Sequence, residues 1–265
     1  MLDTYSGATR VIYIVGDPIA QVKSPARVTA SLRERGLDAV VVPAQVAPAD
    51  LAAWVAATTR MPNCDGIIVT VPHKFAALAL CDSLTPRARS IGGVNVMKRS
   101  ATGGWHGDHC DGEGYVAGLR KAGCEPRGRR ALLVGAGGAG SAIAHALVDA
   151  GVASLAIHEA DPERREALLA KLRRYGDLVP TVGSADPTGF ELAINATPMG
   201  MQPGDPLPID VARLAPGTFV GDVVTVPAVP PLIEAARARG CGTMNGIGMF
   251  EAVRERIVDF YLGTA

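Results

Sequence analysis

The chain has 265 residues, with 26 Lys and Arg balanced by 26 Asp and Glu, so its formal net charge is zero. That balance offers no basic field to nucleic acid or to an anionic membrane, and 48% apolar against 20% charged residues excludes a disordered chain. The length is near the limit for a single hydrophobic core, so one large or two small domains are expected.

The first third alternates strand and helix patterns. Arg10–Gly16 reads as a strand ending in a glycine turn, and Pro25–Arg35 as a helix with Ser24 as N-cap and Pro25 at its first position. Ala39–Pro43 is a second strand, Ala49–Thr59 a second helix and Gly66–Thr70 a third strand. Pro72 is expected to open a helix running through Cys81. Strands separated by such helices imply parallel βαβ units. Arg99–Gly107 is a hairpin-like polar connection, followed by a helical pattern over Asp111–Ala122 and a basic linker over Glu125–Arg130.

A second alternating series follows. It comprises strand Ala131–Val134, helix Gly140–Ala150, strand Ser154–His158 and helix Pro162–Tyr175. Strands Leu192–Asn195 and Phe219–Val224, a helix near Pro230–Arg239 and a closing helix over Met249–Leu262 complete it. Ala131–Val148 carries no Asp, Glu, Lys or Arg over 18 residues, but its glycine cluster suits a strand, turn and helix start better than a membrane span. The N-terminal MLDTYSGATR has no apolar run of signal-peptide type. Five scattered cysteines (Cys64, Cys81, Cys110, Cys124, Cys241) without a CxxC pair point to reduced thiols and a cytoplasmic location. His73, His106 and His109 lack metal-ligand spacing, so no metal is expected.

Gly135-Ala136-Gly137-Gly138-Ala139-Gly140 is a GxGxxG between an apolar strand and an Ala-rich helix, the context in which such a turn holds a dinucleotide. Gly135 permits the tight turn, Gly137 lets backbone approach a pyrophosphate, and Gly140 lets helix and strand pack closely. The N–H groups at the helix start face the anion. The alternative is a glycine-rich turn without a ligand. Glu159, 24 residues after Gly135, ends the next strand. A carboxylate there accepts from the ribose hydroxyls and repels a 2′-phosphate, which favours NAD over NADP; the alternative is a solvated loop acid, with Arg164 and Arg165 nearby for a phosphate.

Polar clusters stand at the strand ends of the first third and beyond: Gly16–Pro25, Val69–Lys74, Ile91–Asn95 and Gly107–Gly112. Together with the glycine fingerprint, Asn195–Met201, Asp222–Pro227 and Asn245–Met249, they resemble the shikimate/quinate dehydrogenase family in order along nearly the whole chain. The resemblance implies an α/β fold of two lobes. An N-terminal substrate domain with a mostly parallel sheet would take 1–112 and 241–265, and a Rossmann-type dinucleotide domain 113–240.

The implied activity is reversible NAD(P)-dependent oxidation of a secondary hydroxyl on a shikimate- or quinate-like cyclic polyol acid. The partners would be a small-molecule substrate and a dinucleotide, with no nucleic acid or membrane, in a monomer or homodimer. By resemblance Lys74 is the acid/base residue and Asp111 its partner, a pairing that suits proton removal from an alcohol because a carboxylate holds and tunes the ammonium. Taken singly, Lys74 also reads as a solvated lysine at a helix start and Asp111 as an N-cap.

Ser24, Thr70, Asn95 and Thr225 would bind substrate, though Asn95 also reads as a turn residue and Thr70 as a strand-end hydroxyl. The cofactor would meet Gly135, Gly137, Gly138, Ala139, Gly140, Glu159, Ala196, Thr197, Pro198, Val223 and Gly246. The sequence departs from the family pattern on the substrate side. Val22 stands where a serine is usual, Ile68 for Asn, His109-Cys110 for Asn-Thr, Thr225 for Tyr and Val253 for Gln. A missing hydrogen bond to a carboxylate costs ~1.5–3 kcal/mol, so altered or poor use of shikimate itself is expected. A related ligand such as aminoshikimate, or a nucleotide-binding sensor without turnover, are the alternatives.

Overall fold

The computed structural model describes residues 5–264. The chain forms two compact units, Met1–Cys110 with Arg254–Ala265, and Asp111–Val253.

Unit 1 begins with strand β1 (Arg10–Gly16), helix α1 (Ser24–Glu34), strand β2 (Ala39–Gln45), helix α2 (Leu51–Thr59) and strand β3 (Cys64–Val69). Strand β4 (Ser83–Leu84), helix α3 (Pro86–Ile91) and the pair β5 (Val96–Arg99) and β6 (Trp105–Asp108) follow. The six strands lie in the order β2-β1-β3-β5-β6-β4. The β1–β2 and β1–β3 pairings are parallel, while β5 runs antiparallel to both β3 and β6. One face is closed by a core that includes Val15, Ile67, Val69, Met97 and Trp105 with Leu51 and Val55 of α2.

Between β3 and β4 the expected helix does not form. Residues 72–75 make turns and only Ala76–Leu80 form a short 3-10 helix. Val71 and Phe75 are exposed, and only Ala77 of the 3-10 turn is fully buried, with Leu78 and Leu80 packed partly against the core; so short an apolar contact holds a single tight turn rather than a longer helix. Ser24 is likewise the first residue of α1 rather than its N-cap, which is Lys23 without a side-chain cap bond.

Unit 2 starts with helix α4 (Asp111–Lys121) and continues through β7 (Arg130–Val134), α5 (Gly138–Asp149), β8 (Ser154–His158), α6 (Pro162–Leu172) and β9 (Thr181–Val182). Strands β10 (Leu192–Asn195) and β11 (Phe219–Asp222), helix α7 (Pro231–Ala238), strand β12 (Gly242–Met244) and helix α8 (Gly246–Leu262) complete the chain. The sheet is parallel throughout, in the order β12-β11-β10-β7-β8-β9. Numbered within the unit, that is 3-2-1-4-5-6 read from the β9 edge, the doubly wound arrangement whose strand order reverses between β7 and β10.

Its strands are apolar on both faces. Leu133, Ile157 and Ile194 belong to one core, and Leu132, Ala156 and Ala193 to the other, as expected for a parallel sheet covered on both sides. The second unit boundary is at 253/254, later than the expected 240/241. The reason is packing: β12 pairs with β11, and Gly114 of α4 lies so close to Val253 that a Cβ there would sit 2.6 Å from its Cα. No described helix is long and apolar enough to cross a membrane.

Candidate active site

In unit 1, the C-terminal ends of β1 and β3 and the N-terminal end of β5 share one edge of the sheet. Thr70 stands just past β3, its N–H donating to the Val15 carbonyl at 2.9 Å. Gly16 leaves room for it, since a Cβ there would lie 2.5 Å from Thr70 Cγ2. Lys74 is half-buried on the turn that follows. Its backbone is pinned on both sides: His73 N–H donates to Thr70 O at 2.9 Å, and Val94 N–H donates to Lys74 O at 2.9 Å. The His73 ring is buried with Nε2 2.8 Å from the Val46 carbonyl, which makes it a structural histidine.

Asn95 is 2% exposed, its N–H bonded to Asp108 O, its carbonyl to Val69 N and its side-chain oxygen accepting from Cys110 N at 2.8 Å. Thr70, Lys74 and Asn95 are thus gathered at one strand edge by five backbone bonds. Ser24, buried at the start of α1, follows the loop that leaves the same edge at Gly16.

Asp108 stands behind this cluster. Its carboxylate accepts from Thr85 Oγ1 (2.5 Å), Arg87 Nε (2.8 Å) and its neighbour His109 N (2.7 Å). Burial pushes the Asp108 carboxyl up, but the Arg87 and Thr85 hydrogen bonds and the Arg87 charge outweigh it and hold it below the usual value. The ion pair therefore fixes the backbone on which Asn95 and the 109–110 segment depend. Sequence reasoning missed this role. The only local signal is an acid closing a strand.

Asp111 opens α4 in unit 2 and is 6% exposed. Gly112, next to it, would place a Cβ 2.2 Å from the Ala142 carbonyl, so α4 and α5 touch backbone to backbone. The two expected acid/base residues therefore belong to different units.

The glycine turn fits a dinucleotide. Gly135 has φ of +107°, and a Cβ there would meet the Ala196 backbone at 2.9 Å. Gly140 would put one 2.1 Å from the Gly135 carbonyl, whereas around Gly137 nothing lies within 4 Å. Turn, close packing and an open approach thus fall on the glycines expected for each. Gly137 caps α5 without any side chain, and Gly138 and Ala139 occupy its first turn, leaving that turn's N–H groups to an anion.

Glu159 follows β8 and folds onto the turn, Oε2 accepting from Ala136 N at 2.8 Å and Oε1 from Asp161 N at 3.1 Å. Asp161 caps α6 through Glu163 N and Arg164 N, with Arg164 3.8 Å from its other oxygen.

Ala196, Thr197 and Pro198 lie past β10, Val223 and half-buried Thr225 past β11. Gly246 opens α8, where a Cβ would lie 2.4 and 2.3 Å from the Val223 and Val224 carbonyls. Two further residues bind these loops together and were not singled out by the sequence. Asn195 and Asp222, both 0% exposed, end adjacent strands and join through Asn195 Nδ2 donating to Asp222 Oδ1 at 3.0 Å. Burial pushes the Asp222 carboxyl up to about 7, against the opposing bonds from Val224 N, Asn195 and Val223 N. The available signal was a polar residue closing each of two wholly apolar strands.

Comparison with known proteins places these features. The family model described as the shikimate dehydrogenase substrate binding domain matches residues 14–97. A shikimate dehydrogenase (NADP(+)) of Acidiphilium cryptum strain JF-5 is 42% identical, over 92% of this chain and 87% of that protein. The ligand-free 5-ketofructose reductase of Gluconobacter sp. strain CHM43 is 31% identical with a TM-score of 0.86, covering 96% of this chain and 93% of that one. Shikimate 5-dehydrogenase from Listeria monocytogenes, solved with shikimate and NAD, is 27% identical with a TM-score of 0.89, covering 99% and 95%. With a two-unit α/β fold, a glycine turn at the reversal of a 3-2-1-4-5-6 sheet and a relative at 42% identity over most of both chains, this chain belongs to the shikimate dehydrogenase family of NAD(P)-dependent oxidoreductases.

Proposed function

We propose that this chain oxidises a secondary hydroxyl of a shikimate- or quinate-like cyclic polyol acid to the ketone, reversibly, with Lys74 and Asp111 as the acid/base pair. The observation that carries the reading is the glycine turn of unit 2, whose three critical positions have the geometry a pyrophosphate needs. A nicotinamide bound at this unit would supply the hydride acceptor. Lys74 removes the hydroxyl proton and returns it in reduction. Asp111 is its partner in the pair, and Thr70, Asn95, Ser24 and Thr225 bind the substrate. The first turn of α5 with Gly135, Gly137, Gly138, Ala139 and Gly140 would hold the pyrophosphate, and Ala196, Thr197, Pro198, Val223 and Gly246 would also meet the cofactor. The enzyme works in the cytoplasm, as a monomer or homodimer.

NAD is the preferred cofactor, although the Acidiphilium relative is named for NADP(+). Glu159 and Asp161 both stand at the end of β8, and the arginine best placed for a 2′-phosphate, Arg164, lies beside Asp161. Each Glu159 oxygen spends one lone pair on backbone and keeps acceptor capacity for ribose hydroxyls, while a 2′-phosphate meets like charge. Steady-state kcat/KM with NAD and NADP in parallel tests this. A clear NADP preference refutes it.

A second reading has support in the apolar Val22 and Ile68, which cannot bond a carboxylate, and in the 31% identity to a 5-ketofructose reductase. On that reading the substrate is a polyol ketone lacking the acid group. A panel of shikimate, quinate and 5-ketofructose decides: a shikimate kcat/KM in the range of efficient enzymes, ~10⁵ M⁻¹s⁻¹ or above, supports the acid and refutes the expected poor use of shikimate, and 5-ketofructose reduction without shikimate oxidation supports the sugar.

A further inference from the structure

Asn195 divides its side chain between two loops. Its Nδ2 donates to Asp222 Oδ1 and, at 3.2 Å, to the Met199 carbonyl. Its Oδ1 accepts from Thr197 N at 2.9 Å and from Thr197 Oγ1 at 2.7 Å, and Thr197 Oγ1 in turn accepts from Met199 N at 3.2 Å. The 195–199 turn is thereby closed on itself by a single buried amide. Asp222 treats the next loop in the same way, its Oδ1 also accepting from Val224 N at 2.9 Å. Val223 N donates to the Asn195 carbonyl at 3.1 Å, and Gly246 N to the Val224 carbonyl at 3.1 Å. Both loops and the start of α8 therefore hang on one pair of side chains at the C-terminal ends of β10 and β11. Such strand ends, beside the sheet's reversal point, are where open α/β sheets receive ligands.

The arrangement is costly. Asp222 Oδ2 is buried without a hydrogen-bond partner, and a buried carboxyl is retained only at some expense in stability. An apolar pair would fill the same space without that penalty, so the bonds must serve the loops rather than the core. The titratable group facing Asp222 from the neighbouring helix is Tyr115 of α4, whose hydroxyl is also buried without a partner.

We propose that Asp222 and Asn195 are positioning residues for the dinucleotide: their buried pair holds the 196–199 and 223–225 loops in the conformation that receives the cofactor. The proposal rests on the reading of unit 2 as the nucleotide unit and adds to it the group that preorganises two of its loops. A loop that populates its binding form a tenth of the time binds roughly tenfold more weakly, with no contact to the ligand changed.

The test is equilibrium binding of NADH and NADPH, followed by protein fluorescence, with steady-state kinetics alongside. Asp222→Ala and Asn195→Ala raise the Kd for the preferred dinucleotide roughly tenfold or more, and raise its KM more than they lower kcat. Asp222→Asn, whose amide oxygen still accepts from Asn195 and Val224, restores most of the affinity. The double alanine variant is little worse than either single one, because the pair acts as a unit. Where an alanine variant fails to fold, Thr197→Val replaces it. That change removes the Oγ1 link between Asn195 and Met199 while leaving the Asn195–Asp222 bond in place, and it weakens binding several-fold. A folded Asp222→Ala or Thr197→Val protein binding within twofold of the parent overturns the proposal. A parent protein that binds neither dinucleotide overturns the functional reading itself, and this proposal with it.

Discussion

Replacing Asp222 with Asn exposes the cost of burying its carboxyl. Burial raises the group from its ordinary 3.8 to about 7 in the folded chain, while the unfolded chain ionises it at the ordinary value. Between those two pH values the folded state keeps a proton that the unfolded state has released. Stability therefore falls as pH rises through the window, by ~1.4 kcal/mol per pH unit. The protonated form's contribution is complete below the window and lost above it. Going from pH 5 to pH 8 crosses about two of those units, so the parent loses ~3 kcal/mol from this group alone.

The amide of Asp222→Asn cannot ionise. Urea unfolding of both proteins at pH 5 and pH 8 should show the difference in unfolding free energy moving in the variant's favour by ~3 kcal/mol at the higher pH. Every other titrating group is common to the two proteins and cancels. Parallel pH dependences would refute a buried Asp222 that is protonated below neutrality.

Lys74→Ala should lower turnover ~10²–10⁴-fold and leave the NADH Kd unchanged in a binding titration, since Lys74 lies in unit 1 and the glycine turn in unit 2; retained turnover removes it as the acid/base residue. Tyr115→Phe should be neutral or stabilising by up to ~1–3 kcal/mol in urea unfolding, because it deletes a hydroxyl buried without a partner. A loss above ~1 kcal/mol would show that the hydroxyl is bonded. Gly66→Ala would place a Cβ 2.2 Å from the Tyr261 ring and should cost ~1–3 kcal/mol by overpacking, most of it recovered when Tyr261→Leu is added. An unaffected melting curve for the single variant would refute that packing.

Unit 2 was legible because every one of its longer strands is an unbroken apolar run closed by a glycine or a polar residue, as in Leu132–Gly135 and Leu155–His158. Such runs need no partner to be recognised. Of the antiparallel part of unit 1 only the hairpin-like connection over Arg99–Gly107 was legible, and its first strand was not, for the opposite reason. Strand β5 ends in Lys98 and Arg99, which no local pattern assigns to a sheet. Arg99 is accommodated only in three dimensions, donating to the carbonyls of Thr58, Thr59, Met61, Cys64 and Gly103 and covering Trp105.

Strands β9 and β12, two and three residues long, carry too few side chains for any period. Among site residues, the glycines were readable because their constraint is local to the turn. Glu159 was readable as an acid at a strand end, but its tether to Ala136 N was not. Asn195 and Asp222 are 27 residues apart, and only the pairing of β10 with β11 reveals that they act as one.

Unit 1 is built from two separated segments of the chain, which matters while the chain is being made. Its last strand ends at Asp108, yet the ring that fills the notch at Gly66 belongs to Tyr261, Arg35 waits for Asp259, and Lys98 for the carbonyl of Phe260. Between these segments lies all of unit 2, Asp111–Val253. At ~5–20 residues per second the ribosome needs roughly seven to thirty seconds to cross it. Throughout that interval the earlier-made sheet lacks part of its cover, while the contiguous unit behind it emerges whole. A premature stop at Arg254 would therefore injure the unit whose sheet was translated first.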